Sequence, residues 1–564
     1  MTDSSNDATG AAGAGATSPP EQAARDLIDR YWEQLLELEP ILGTEVGDER
    51  FDDRLDDRSE EGRAHRDRVQ RDALAAVTAL DRGDLSEDVR TALDMIESIA
   101  TRDIDAVRFR LDRFAAVSHL WGPGQLLAIV GSLQKADSPE RLDRYVARLR
   151  SVPAYLEEVG RTVTDAARAG QTVSGVVADR AIAQVERQVA AAPEDSPALR
   201  PVASGSDADR ERVAEVVRDE VMPAYAAYLD TLRAYRPAAR EGFGLCELPD
   251  GEAMYAALIN SFLTIPLDAA TVHETGLEKL AATRDERREI ARSLGFEEPN
   301  DVLADLQASG RNTASTKDEL VGLAERQVRR GWDAAPGWFG RVPDANCEVR
   351  AVEEFREADM PFAFYQVPNP DGSRPGVYYV NASELSERPL HHLATTTYHE
   401  ANPGHHFQLA LEIQRSDRVP LRRFGGLLSG GAFIEGWGLY SERLADEMGL
   451  FETEFERMGM LDAQAMRAAR LVVDTGLHAF GWSRERSIST MEEAGLPHLD
   501  AVIETDRYIA IPGQALTYMI GQIEIENTRR ELSARPGFSL KDFHDRVLSL
   551  GSIPLLSLRR ELLG

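Results

Sequence analysis

Apolar residues return every third or fourth position from about residue 21 to 240, the period of helices that bury one face. The first such stretch, EQAARDLIDRYWEQLLELEP, stops at Pro40, where a helix loses a donor and meets a clashing ring. DRVQRDALAAVTALDR, SEDVRTALDMIESIATRDIDAVRF, SPERLDRYVARLRSVPAYLEEVGRTVTDAARAG and ERVAEVVRDEVMPAYAAYLDTLRAYR follow, with Ser86 and Ser138 placed as N-caps. The stretch SGSDADR, 204–210, reads as a surface loop, and GDERFDDRLDD, 47–57, as a polar turn. No internal period suggests a solenoid. The expectation is a mostly α, large multi-helix single chain with a central cleft.

The period changes once. From Cys347, CEVRAVEEFRE, AFYQVPNP and GVYYVNA alternate or run β-branched and aromatic, as strands do. A small sheet or hairpin is expected beside the helix that follows. It either packs on helices or offers an edge to an extended peptide, with Tyr379 as a substrate contact.

Lys and Arg number 64 against 96 Asp and Glu, a formal charge of −32. Such a surface repels nucleic acid and anionic membranes, so neither is expected as a partner. The acidic residues are spread along the chain, as on a surface adapted to high salt. No run of 18 apolar residues predicts a spanning helix. The first 20 residues read as a disordered leader without signal-peptide character, which places the protein in the cytoplasm. Cys246 and Cys347 read as buried free thiols. A helical N-terminal region, 21–250, and a helical catalytic region with short strands, 251–564, are expected to form one compact unit.

Of eleven histidines, five fall between residues 391 and 406. Tyr398-His399-Glu400-Ala401-Asn402-Pro403-Gly404-His405-His406 places a His-Glu pair ahead of two more imidazoles. In zinc hydrolases a Glu between two metal-binding His at i and i+4 serves as base toward water. Here the spacing is longer. On an unbroken helix His405 would lie about 240° round from His399, and His406 roughly 10.5 Å further along the axis. Pro403 and Gly404 offer a bulge that brings one of them back; His405 is favoured, with His406 as the alternative. His391 and His392 lie too far along the axis to share the ion and read as core or surface groups.

The Gly-rich GGLLSGG leads into AFIEGWGLYSERLADEMG, whose first acid, Glu435, is the candidate third ligand. Three protein ligands and an open position are the catalytic zinc pattern. Glu442 and Glu447 are competitors that could equally sit behind the site or on the surface. Arg470, Asp474 and His478 share a helix face; the first two read as an ion pair and His478 as a donor to a substrate carbonyl. Arg507 and Tyr508 precede a turn at Pro512-Gly513, with Gln514, Tyr518 and Gln522 beyond it. Tyr508 and Tyr518 are candidate catalytic hydroxyls that would stabilise an oxyanion, and Arg507 and Gln514 candidate substrate contacts.

YHEANPGHHFQ, FIEGWGLYSERLADEMG, RLVVDTGLHAFGWSRE and RYIAIPGQALTYMIGQ together resemble the family labelled domain of unknown function 885, regarded as gluzincin-like zinc metallopeptidases. Weaker echoes, DRYWEQLLELEP, GDERFDDRLDD and GVYYVNA, extend the resemblance over roughly residues 25 to 560. It implies a mostly helical fold with a long cleft over the zinc helix. It also implies His399, His405 and Glu435 as Zn2+ ligands and Glu400 as the base. Met519 departs from the pattern, where a lysine is expected, so no cationic role is implied at that position. The expected activity is zinc-dependent hydrolysis of short peptides by activated water. The alternatives are a zinc amidase or esterase and a non-catalytic, metal-stabilised binding protein.

Overall fold

Ser18 opens the first helix, Pro19–Leu38, by accepting a hydrogen bond from the Glu21 N–H on its hydroxyl. Proline suits the first turn, where the missing donor has no helical partner anyway. This computed structural model describes residues 18–353, 357, 361–369 and 374–564. Residues 1–17 of the expected leader, and part of CEVRAVEEFRE, lie outside that set; Pro19 and Pro20, counted with the leader, are helical.

Ser138 caps its helix as expected, accepting from the Arg141 N–H at 3.2 Å. Ser86 has an N-cap backbone but spends its hydroxyl elsewhere, donating to Glu21 at 2.7 Å and tying two helices together. The loop expected over 204–210 is corrected. Ser206 and Asp209 each cap the other's backbone, so the helix Asp207–Val216 starts inside it.

The deepest element is the helix Glu454–His478, where Met458 to Ala465 and Ala468 to His478 are all buried. The helix Ala269–Ser293 lies along it. Gly276 meets it so closely that a Cβ would sit 2.8 Å from both Leu471 and Val472. One apolar core joins Ile28, Leu35 and Ile96 to Phe433, Leu439 and Ile525; a second joins Tyr145 and Val163 to Val473 and Tyr508. The regions before and after residue 250 therefore share their interiors.

The described strands form a three-stranded sheet: β1 (Glu348–Ala351), β2 (Ala363–Gln366) and β3 (Val377–Val380), in the order β1-β3-β2. β1 runs parallel to β3 and β2 antiparallel. β3 is buried throughout, which explains its unbroken Val-Tyr-Tyr-Val. Tyr378 reaches the Thr397 hydroxyl at 3.2 Å, so this face of the sheet backs the His399 helix. Successive strand side chains point to opposite faces. Tyr379 accordingly lies on the other face, stacked on Phe364 with centroids 4.9 Å apart.

Among the described residues no helix is long and apolar enough to cross a membrane. Cys347 is buried, but Cys246 is exposed in the short turn Leu245–Glu247, which corrects the expectation of two buried thiols.

Candidate metal centre

The helix carrying His399 runs from Leu393 to Glu400 and stops; a new helix, His405–Ile413, starts after four intervening residues. Ala401 (φ −108°, ψ −106°) and Gly404 (φ −80°, ψ −129°) both leave the helical region, and the Asn402–Pro403 peptide is cis. The expected bulge inside one helix is therefore a complete break. Pro403 has no N–H to return to the His399 carbonyl. Gly404 passes so near the preceding turn that a Cβ would lie 1.9 Å from the His399 carbonyl oxygen. The segment is pinned from outside as well. Asn402 Nδ2 donates to Asn346 Oδ1 at 2.7 Å, and the Trp437 indole N–H donates to the Pro403 carbonyl at 2.9 Å.

The break turns the His405 ring edge-on to His399, with centroids 4.6 Å apart and planes at 84°. Each Nε2 lies 3.6 Å from Glu435 Oε2. Four ligands at zinc–nitrogen bond lengths define a tetrahedron with edges of about 3.4 Å. The three donor atoms thus fit a single zinc ion in spacing and in chemistry. His406 points elsewhere: its Nδ1 accepts from the Tyr365 hydroxyl at 2.9 Å, and its Nε2–H donates to the Ala345 carbonyl at 3.0 Å. Of the two alternatives, His405 is the one at the cluster.

The helix Gly431–Glu447 explains the spelling of its Glu-Gly-Trp-Gly segment. Glu435 supplies the carboxylate. Gly436 lets the helix Thr517–Ser533 approach, since a Cβ would fall 2.4 Å from Gly521 backbone atoms. Trp437 holds the Pro403 carbonyl. Gly438 leaves room for the imidazoles; a Cβ there would sit 2.7 Å from His399 Nε2 and 2.9 Å from His405 Cε1. Two turns beyond Glu435, the buried Glu442 accepts from His399 Nδ1–H at 2.8 Å and from the Thr395 hydroxyl at 2.9 Å. That bond fixes the tautomer with a lone pair on Nε2, as metal-binding histidines require. Glu447, the other competitor, is on the surface, paired with Arg529.

Burial alone would lower the His399 pKa, but the nearby Glu435 and Glu442 carboxylates raise it to about 9. The two histidines in turn hold Glu435 well below the usual carboxylate range in spite of its burial. The arrangement draws positive charge to the point between the rings. Glu400 responds the other way: burial raises its pKa above the ordinary value, toward the range of an effective base.

Among the remaining candidates Tyr518 makes a ring contact with the cluster, its ring stacked toward His399 with centroids 6.4 Å apart. The Arg470 guanidinium lies 4.5 Å from the centre of that ring. Arg507 donates to Gln514 Oε1 at 2.7 Å and reaches the Tyr518 hydroxyl at 3.5 Å. Tyr508 stands one layer back: its hydroxyl accepts from Arg470 and donates to Glu504 at 2.6 Å. Arg470 pairs with Glu504, not Asp474. Asp474 accepts from the Tyr255 hydroxyl and the Gly513 N–H, which corrects the expected ion pair. His478 is fully buried, accepting from the Leu245 N–H and donating to the Tyr508 carbonyl. Neither of its nitrogens is left for a substrate. Tyr379 faces away from the His399 helix, and the tyrosine that touches that helix is Tyr378. Met519 lies buried in the main core.

The crystal structure of a "putative lipoprotein" from Colwellia psychrerythraea superimposes with a TM-score of 0.88 at 25% identity, over 97% of this chain and 99% of the other. That of a "putative lipoprotein of unknown function" from Shewanella oneidensis gives 0.75 at 19% identity, over 96% and 100%, a likeness of fold alone. No curated protein matches the chain significantly. The profile of the family described as bacterial protein of unknown function (DUF885) matches residues 40–562, and the chain belongs to that family.

Proposed function

We propose that the protein is a zinc-dependent peptidase of gluzincin-like chemistry that hydrolyses short peptides. The observation that carries this reading is the convergence of His399 Nε2, His405 Nε2 and Glu435 Oε2 within 4.8 Å of one another, next to a Glu that is not a ligand. A purely structural site has no use for that Glu. A zinc ion held by these three groups would polarise a scissile carbonyl and lower the pKa of water to about 7.

Glu400 takes the proton from the attacking water and passes it to the leaving amine. Glu442 keeps the His399 ring turned so that its lone pair faces the cluster. The Tyr518 hydroxyl, with Arg507 beside it, donates to the oxygen on which negative charge develops. Tyr508, Glu504 and Arg470 hold that pair in place from behind.

Zinc-loaded and chelator-stripped protein incubated with a mixed peptide digest, simple amides and simple esters tests the proposal. Zinc-dependent cleavage of peptides is expected. Cleavage restricted to the amides or esters, or none by the loaded protein, overturns it.

A further inference from the structure

A second group of donors converges away from the centre just described. His391 and His392 form the last turn before the His399 helix, with rings 4.0 Å apart. Asp462, on the deepest helix, faces both: its Oδ2 lies 3.3 Å from His391 Nε2 and 3.6 Å from His392 Nε2. The two elements meet closely here, since a Cβ on Gly459 would lie 1.9 Å from the His391 carbonyl oxygen.

The proton positions make this contact informative. Asn312 Oδ1 accepts from the His391 backbone N–H and from its Nδ1–H, both at 3.0 Å. His391 Nε2 therefore presents a lone pair, and it presents it to a carboxylate oxygen that also can only accept. Arg287 lies 2.8 Å from the other oxygen, Oδ1, and turns Oδ2 toward the rings. Neither imidazole Nε2 nor Asp462 Oδ2 has a hydrogen-bond partner, and His391 and Asp462 are each only 7% exposed. His391 Nε2 and Asp462 Oδ2, two acceptors packed together with no donor in hydrogen-bond contact, call for a cation between them.

We propose that His391, His392 and Asp462 form a second divalent transition-metal site. Oxygen–nitrogen spacings of 3.3 and 3.6 Å bracket the tetrahedral edge of about 3.4 Å for zinc. Two imidazoles and one carboxylate select zinc or a neighbouring borderline ion over calcium or magnesium. His392 is one-third exposed and leaves the ion a path from solvent. Eight residues of helix separate His391 from His399, about 12 Å of rise. Paired catalytic metals sit about 4 Å apart. This site is therefore not half of a binuclear centre. It fastens the start of the His399 helix to the helix that carries Arg467 and Arg470.

The test uses full-length chelator-stripped protein and Co2+ alone as the probe, with stoichiometry by equilibrium dialysis and folding followed by circular dichroism. The His399→Ala/His405→Ala variant is expected to bind one equivalent. Adding His392→Ala, or the milder His392→Gln, should weaken that equivalent by at least about 100-fold while the helical signal stays. His392→Ala alone should retain one equivalent, at the first centre. No Co2+ bound by the His399→Ala/His405→Ala variant, or binding there that is indifferent to both His392 changes, overturns the site. The first of those results would leave a protonated His–Asp contact as the role of the cluster, and neither bears on zinc at the first centre.

Discussion

Glu442 never touches the ion position, yet it decides which nitrogen of His399 faces it. Glu442→Gln should lower zinc affinity by about 10- to 100-fold with little change in thermal stability, measured by competition with a chromophoric chelator. Unchanged affinity would mean that the ring is oriented by packing alone. Gly438→Ala attacks the same geometry sterically and should lose the one zinc equivalent of the His399 centre in metal analysis, because its methyl would occupy the space of the two rings. Asp474 is a residue-scale test away from the metal. Burial pushes its carboxyl from 3.8 up to about 7. Between pH 4 and 7 the folded chain keeps this proton and the unfolded chain has released it, so stability present at low pH is lost as pH rises. Asp474→Asn cannot titrate, so its denaturant stability relative to the natural chain should improve by up to about 4 kcal/mol across that window. A flat difference would contradict the assignment. Single residues were only partly legible in the sequence. His399, Glu400 and Glu435 stood out by type and spacing. Tyr378 could not be told from Tyr379, because an unbroken Val-Tyr-Tyr-Val does not say which face looks at the helix. Asp462 was invisible beside His391 and His392, because only tertiary packing brings it there.

At the scale of elements the Pro403-Gly404 pair announced an interruption but not its extent. A bulge and a full break both remove the same backbone bond, and the choice depends on outside groups. Here those groups are Asn346, met by Asn402, and Trp437, which holds the Pro403 carbonyl. Trp437→Phe keeps most of the ring and deletes the donor. It should cost about 1–3 kcal/mol for the carbonyl left buried, seen as a lower denaturation midpoint at unchanged slope, together with weaker zinc binding. A loss of stability with zinc affinity intact would mean that the break holds its shape unaided. Helices of the first half were readable from period and caps. Their exceptions are local: Ser86 reaches Glu21 in place of its own backbone, and Ser206 with Asp209 starts a helix where polar composition suggested a loop.

At the scale of the molecule, two opposed effects of salt follow from 96 acidic against 64 basic residues. Exposed pairs such as Arg233–Glu186 weaken in salt, but each is worth at most about 1 kcal/mol. The net charge of −32 repels itself throughout, and 1 M salt shortens its reach from about 10 Å to 3 Å. Repulsion should dominate, so the melting temperature should rise between 0.1 and 1 M NaCl; a fall would show that the ion pairs prevail. The mostly helical class was legible throughout and a single compact unit was expected, but which residues meet across position 250 was not legible, since periodicity is silent on which faces pack. The proposed hydrolysis stands on Glu400 acting beside a metal that it would not bind. Its most direct test is Glu400→Gln, with zinc content and peptide hydrolysis measured on the same sample. One zinc retained at the His399 centre and hydrolysis lowered by about 10²- to 10⁴-fold is the predicted result. Zinc retained with hydrolysis unchanged would contradict it.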